Sequence, residues 1–213
     1  MSQQIFDRDR ERHIVLGREV IRNEARALEE AANALSHEFA DAVELIATNR
    51  GRIMACGIGK SGHVAAKVAA TLSSTGTPAS FLHAGEAVHG DLAGLRKGDL
   101  VLAFSHSGET PELIALFPVF KNMELQIIAI TDTPESTLSL VANIVLTPGK
   151  TAAADPIGLA PTASAAAALA IGDALALAVA QHRGYSLADF EHHTGGALGR
   201  LMESVYKHSE PAG

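Results

Sequence analysis

Two short segments combine glycine with hydroxyl or cationic side chains, and each follows an apolar run and precedes a helical pattern. They are Gly57-Ile-Gly-Lys-Ser-Gly62 and Ser105-His-Ser-Gly-Glu-Thr110. Glycines let backbone N–H groups approach an anion closely, and the beginning of a helix adds positive potential. Lys60 adds a charge to the first segment, and the second contains three hydroxyls. Both segments therefore indicate a phosphate-binding site.

Other interpretations of these segments carry less weight. The glycines of the first segment match Gly-x-Gly-x-x-Gly, but the next predicted strand leads to His83 and not to an acidic residue, so phosphate binding is favoured over dinucleotide binding. The spacing is too short for a Walker A loop. In the second segment, Ser107 or Thr110 could cap a helix that begins at Pro111. Capping explains only one of the three hydroxyls, so a ligand is favoured.

Several histidines accompany these segments without forming a metal motif. His83, Glu86 and His89 lack the His-Glu-x-x-His spacing, so no metal is predicted. His193 follows the predicted end of a short helix, where an imidazolium is favoured. Asp91 follows His89 closely and could orient it.

Five short apolar runs predict β-strands, and helical patterns lie between them. The predicted strands cover residues 52–56, 79–82, 100–104, 126–130 and 143–146. The predicted core helices cover about 63–74, a stretch from 111, 136–141, 162–182 and 187–192. This alternation predicts a three-layer α/β sandwich with a parallel sheet, whose strands are buried on both faces. Both glycine segments then lie at the carboxyl ends of strands, where such sheets bind ligands.

The amino-terminal residues 11–50 have a helical pattern that Asn33 or Ser36 could divide. Large apolar side chains recur every seven residues, at Ile14, Ile21, Leu28 and Leu35. This spacing suits a helix packed along another helix. The periodicity slightly favours an ordinary amphipathic helix on its own domain over one that packs on a second subunit.

Composition limits the class of protein. The 213 residues are 47% apolar and 19% charged, which excludes a disordered chain, and we expect one domain with residues 1–50 as a helical arm and 51–202 as the core. The net charge of −7 argues against a nucleic-acid partner. A single cysteine, Cys56, and a polar stretch at residues 1–12 favour the cytoplasm. The alanine-rich run 162–180 contains Gly172 and Asp173, so it predicts a buried helix and no membrane partner.

Five segments together resemble a known family. They are Gly-Ile-Gly-Lys-Ser-Gly-His, His-Ala-Gly-Glu-Ala-Val-His-Gly-Asp-Leu, Ser-His-Ser-Gly-Glu-Thr, Gly-Leu-Ala-Pro-Thr and His-Thr-Gly-Gly-Ala-Leu-Gly. In this order they closely resemble the sugar isomerase (SIS) domain of the KpsF/GutQ family, which includes the D-arabinose 5-phosphate isomerases, over roughly residues 14–202. The resemblance implies a five-stranded parallel sheet between helices, a flavodoxin-like or Rossmann-like arrangement. Many members add a pair of CBS domains, which we do not expect here.

The resemblance also implies an activity and a set of site residues. The activity is aldose–ketose isomerisation of a sugar phosphate, with no metal or redox cofactor and with a homotetramer in which His193 or His89 reaches a neighbour's site. The implied catalytic residues are Lys60, His89, Glu112 and His193. The implied phosphate-binding residues are Gly59, Ser61, Ser105, His106, Ser107 and Thr110.

The chain departs from the family at a position expected to contribute a carboxylate. Ala153 stands where similar proteins have a glutamate, and Thr194 replaces a usual proline. If Glu112 is the base that removes the C2 proton, the activity survives, with Glu109 or Asp155 next in line. A non-catalytic phosphosugar-binding domain is the alternative function.

Overall fold

The centre of the protein is a sheet of five parallel strands in the order β2-β1-β3-β4-β5. The computed structural model describes residues 2–149, 160–186 and 188–190. The strands are β1 (Ile53–Gly57), β2 (Ala79–His83), β3 (Leu100–Phe104), β4 (Gln126–Ile130) and β5 (Ile144–Leu146). The predicted α/β sandwich with a parallel sheet is confirmed, and the bounds of β3 and β4 are as predicted.

Helices cover both faces of the sheet. They are α1 (Ser2–Ala34), α2 (His37–Thr48), α3 (Gly59–Ser74), α4 (Ala84–Ala87), α5 (Pro111–Ile114), α6 (Phe117–Asn122), α7 (Thr137–Val141) and α8 (Thr162–His182), with a 3-10 helix at Asp91–Gly94. α3 begins four residues earlier than predicted, because Gly62 N–H donates to Ile58 O and so makes the glycine segment itself the first turn. Residues 188–190 are helical, and the rest of the helix predicted there lies outside the described residues.

Each central strand is buried on both faces, which explains its unbroken apolar sequence. Successive side chains of a strand point to opposite faces. In β3, Leu100, Leu102 and Phe104 contribute to the core beneath α1, α2, α3 and α8. Val101 and Ala103 contribute to the core that includes buried residues of α4–α7. Ser105 and Thr131, the polar residues that follow β3 and β4, therefore lie just past the carboxyl ends of these strands.

The amino-terminal helices are divided close to Ser36, which is the N-cap of α2. The large heptad-spaced side chains do not face the core: Ile14, Ile21, Leu28 and Leu35 are 47%, 67%, 40% and 38% exposed. The small residues Ala27 and Ala31 are buried instead, on the helix that packs against α8. The favoured prediction of a helix that packs on its own domain is confirmed for α1, but its buried residues are alanines and not the heptad side chains. The alanines allow α1 and α8 to approach closely and leave the large side chains outside.

The longest apolar helix lies in the core. α8 is long and apolar enough by length and composition to cross a membrane. It packs against α1, α2 and α3, and Ala167, Leu175 and Val179 are fully buried. This packing agrees with its prediction as a buried helix of the domain.

Candidate active site

A small cleft opens at the carboxyl edge of the sheet. Four parts of the chain form it: the β1–α3 junction, the loop after β3, the end of β4 with the following Asp132, and the first turns of α8. Its lining residues are Lys60, Ser61, Val64, Phe104, Ser105, His106, Ile130, Asp132, Pro161, Ser164, Ala165 and Ala168. The two glycine segments, far apart in the sequence, therefore meet in one cleft, as their positions at strand ends predicted.

In the first segment the glycines shape the backbone. A Cβ on Gly57 would lie 3.0 Å from the backbone of Ser61, and one on Gly62 would lie 3.2 Å from Gly57 O, so both glycines allow close packing of β1 and α3. Gly59 has φ +59°, a left-handed conformation that favours glycine. With the glycines used in this way, Lys60 and Ser61 are left on the first turn of α3 to face the cleft.

In the second segment the hydroxyls hold the loop together. Ser105 is buried, and its Oγ accepts a hydrogen bond from Gly108 N at 3.0 Å and lies 2.8 Å from Thr110 Oγ1. Ser107 Oγ accepts from Glu109 N at 3.2 Å. Thr110 is the N-cap of α5, yet its side chain makes no capping bond. The capping alternative is therefore wrong for Thr110, whose hydroxyl pairs with Ser105 instead.

The same loop is fixed to the start of α7. Gly108 has φ +65°, and a Cβ there would collide with the Ser136 hydroxyl. Glu109 Oε1 accepts a hydrogen bond from Thr137 N at 2.6 Å, and this bond lowers the pKa of Glu109. Glu109 is consequently ionised at neutral pH, but its carboxylate is engaged at a helix N-terminus. This contact weakens its candidacy as the base.

Asp132, which no sequence motif pointed to, lines the cleft beside His106. Asp132 Oδ2 lies 3.2 Å from His106 Nδ1, and the aspartate side chain is 13% exposed. Asp132 N donates to His106 O at 3.1 Å, and Thr131 Oγ1 donates to the same oxygen at 3.2 Å. The available signal was its position, because Asp132 is the first charged residue after β4, the strand next to β3.

The start of α8, which no sequence motif pointed to either, forms a wall of the cleft. Pro161 is the N-cap of this helix, and the first turn holds no acidic residue. Ser164 is 9% exposed and faces the cleft together with Ala165 and Ala168. Thr162 Oγ1 is buried without a hydrogen-bond partner among the described residues. A second helix N-terminus with hydroxyl groups thus borders the same space, which favours an anion.

Other predicted site residues lie away from the cleft lining. His89 is exposed after α4, and Glu112 is exposed in the first turn of α5. Those described but not lining the cleft are Gly59, His89, Ser107, Thr110 and Glu112. His193, Ala153, Asp155 and Thr194 lie outside the described residues. Their roles stay predictions.

The described residues contain no group of three His, Cys, Asp or Glu side chains placed to hold a metal ion. His83 Nδ1 accepts a hydrogen bond from Glu86 N at 3.2 Å and so caps α4. Cys56 is fully buried in β1, and burial raises the pKa of its thiol to about 12. These contacts give His83 and Cys56 structural roles.

The sequence match to a known family covers this architecture. The SIS domain matches residues 45–178, which include all five strands and most of α8. This chain belongs to the SIS-domain family. A Yersinia pestis relative, arabinose 5-phosphate isomerase KdsD, is 44% identical over 187 residues, which are 87% of this chain and 57% of the relative. The Pseudomonas aeruginosa KdsD is 43% identical over 84% of this chain and 55% of its own length. The chain thus spans little more than half the length of these curated relatives.

Solved structures share the arrangement of this SIS domain. The Escherichia coli CFT073 protein c3406, solved in complex with arabinose 5-phosphate, has a TM-score of 0.82 and 38% identity, covering 85% of this chain and 97% of that one. A Bacteroides fragilis structure has a TM-score of 0.80 and 33% identity, covering 86% and 98%. Structural similarity therefore extends over almost the whole of both solved chains.

Proposed function

We propose that this SIS domain interconverts an aldose phosphate and its ketose, with D-arabinose 5-phosphate and D-ribulose 5-phosphate as the substrate pair. The observation that carries the proposal is the shared cleft. Lys60 and Ser61, which follow β1, line it together with Ser105 and His106, which follow β3. A cation, hydroxyls and two helix N-termini around one space suit a sugar phosphate. The 44% identity to arabinose 5-phosphate isomerases supports the choice of sugar.

The reaction moves a proton from C2 to C1 and another from O2 to O1. A base must remove the C2 proton, and a cation near the oxygens stabilises the negative charge that develops on them. Lys60 is the proposed cation. Glu112 is the base that the resemblance implies, and we retain it although it does not line the cleft of this chain. Glu109 is engaged by Thr137 N, and Ala153 has no carboxylate. His89 and His193 are proposed for proton exchange with the sugar hydroxyls or ring oxygen.

The test is incubation of the purified chain with arabinose 5-phosphate and measurement of the ketose formed. Glu112→Gln should lower turnover by about 10²–10⁴-fold while sugar phosphate still binds. Glu135→Gln removes an exposed carboxylate outside the cleft and is the matched control. Full activity in Glu112→Gln would move the base to Asp155, or to Glu109 released from Thr137.

A non-catalytic phosphosugar-binding domain is the second candidate, and Ala153 favours it. An intact phosphate cleft with a missing family carboxylate would bind the sugar phosphate without turning it over. Binding of arabinose 5-phosphate with no isomerisation of any pentose phosphate would select this function. Under the isomerase proposal, Ala153→Glu raises turnover if the missing carboxylate limits the rate.

We also propose that the chain forms a homo-oligomer, as a tetramer, through α1. Residues 9–19 of this helix are exposed throughout, and the heptad stripe of Ile14, Ile21, Leu28 and Leu35 is only partly covered by the described chain. A second copy of α1 offers the same stripe, which suits pairing between helices. Light scattering should report a tetramer, and Ile21→Asp should yield smaller species. A monomeric unaltered chain would contradict this assembly.

In the proposed assembly His89 or His193 completes the site of a neighbouring copy. Mixing inactive Lys60→Ala and His89→Ala chains should then restore part of the activity if His89 is the residue that crosses. The proposed compartment is the cytoplasm, without a nucleic-acid or membrane partner. The net charge of −7 and the packing of α8 within the core support this part of the proposal.

A further inference from the structure

The cleft contains a carboxylate that a phosphate site would not be expected to tolerate. Lys60 and Asp132 are its charged lining residues apart from His106, so their formal charges cancel. A phosphate group brings about two negative charges near neutral pH. Lys60 and Asp132 together therefore offer no net positive side-chain charge to that ligand. The carboxylate of Asp132 either weakens phosphate binding by electrostatic repulsion or has a role that offsets this repulsion.

The geometry supplies that role. Asp132 Oδ2 lies 3.2 Å from His106 Nδ1, while its backbone N–H binds His106 O. The side chain of Asp132 is mostly buried, whereas that of His106 is 57% exposed and lines the cleft. A carboxylate beside one ring nitrogen favours a proton on that nitrogen and orients the ring. Asp132 thus lies beside the Nδ1 edge of His106, whose side chain stays more than half exposed and accessible to a ligand.

We propose that Asp132 is a positioning residue for phosphate recognition: its carboxylate beside His106 Nδ1 favours the proton on that nitrogen and fixes the orientation of the ring that the phosphate meets. The inference rests on the proposed function, because it takes the ligand to be a sugar phosphate. It assigns Asp132 a favourable effect on anion binding through His106. If charge repulsion alone decided the affinity, the effect would be the opposite: removal of a carboxylate near an anion would strengthen binding.

The test compares binding to the full chain of two probes, arabinose 5-phosphate and inorganic phosphate, by calorimetry. Asp132→Asn keeps the shape of the side chain and its backbone hydrogen bond. We expect it to raise Kd about tenfold for both probes, roughly the loss of one contact to a charged ligand, because the ring of His106 is no longer held in place. His106→Gln should cause a similar loss. The double variant should bind no more weakly than either single variant, because both act through one contact. Glu135→Gln, which removes a charge from the same loop outside the cleft, should leave Kd unchanged.

A second readout separates this role from a purely structural one. In ¹⁵N-labelled protein, the side-chain nitrogen shifts of His106 should show a protonated Nδ1 in the unaltered chain and a mixture of tautomers in Asp132→Asn. Equal or tighter binding by Asp132→Asn, or unchanged His106 shifts, would overturn the inference while leaving the proposed function intact. If the unaltered chain binds neither probe, the proposed function and this inference both fail.

Discussion

The loops after β1 and after β3 have similar compositions, but their glycine, hydroxyl and cationic residues serve different purposes. In the first, Gly57 and Gly62 are needed where the backbone of β1 meets that of α3, and Lys60 and Ser61 are left for a ligand. In the second, the hydroxyls of Ser105 and Ser107 bind the loop's own N–H groups. Part of what looks like binding chemistry is therefore scaffold, and substitutions in the two loops should separate the two uses.

The largest expected effect belongs to Lys60. No hydrogen bond or ion pair joins its side chain to a described residue, so Lys60→Ala should leave the melting temperature unchanged. If Lys60 stabilises developing charge, kcat/KM for arabinose 5-phosphate should fall about 10²–10³-fold. Lys121→Ala, on the exposed end of α6, is the control and should be fully active. Comparable activity of the two variants would show that the first loop does not contribute this charge.

Replacement of a glycine by alanine should lower the free energy of unfolding by different amounts in the two loops. Gly108→Ala combines a left-handed backbone with a collision at Ser136, so it should lower the free energy of unfolding by about 2–4 kcal/mol. Gly59→Ala meets only the backbone penalty, about 1–2 kcal/mol, because nothing lies near its Cβ position. Urea denaturation measures both. Equal losses would mean that the contact with Ser136 relaxes freely.

Two serines of the second loop should separate stability from binding. Ser105→Ala removes contacts with Gly108 N and Thr110 Oγ1 inside the protein, and should cost about 1–2 kcal/mol of unfolding free energy. Ser107→Ala lies on the exposed side of the loop and should change stability by less than about 0.5 kcal/mol. If Ser107 contacts the phosphate, as the resemblance implies, Ser107→Ala should also weaken sugar phosphate binding by about ten- to a hundredfold, although Ser107 does not line the cleft. Unchanged affinity in Ser107→Ala would remove this residue from the phosphate site.

The smallest effect concerns Glu109 and acid. The hydrogen bond from Thr137 N lowers the pKa of Glu109, so its ionised form contributes stability above the unfolded-state pKa. That contribution is lost as the pH falls through the lower folded-state pKa. The difference in melting temperature between the unaltered chain and Glu109→Gln should be largest near pH 7 and should disappear in strong acid. A difference independent of pH would show that the carboxylate charge is not what α7 recognises.

The sequence by itself determined the sheet and the edge that carries the cleft. Strands buried on both faces must be apolar at every position, as Leu100–Phe104 and Gln126–Ile130 nearly are, and such runs are short and distinct. Glycine marks the places where the backbone turns or packs closely, so the segments at Gly57 and Ser105 were found from local pattern. Parallel strands then bring these carboxyl ends to one edge whatever the details of packing.

Tertiary structure alone decided which side chains line the cleft and which face solvent. Asp132 and Ser164 are distant in sequence from both glycine segments, and only the order of β3 and β4 and the direction of α8 bring them there. The same holds for α1, where periodicity marks a stripe but cannot say whether Ile21 or Ala27 meets α8. That choice depends on how closely two helices can approach, which is a property of the packed pair and not of either sequence pattern.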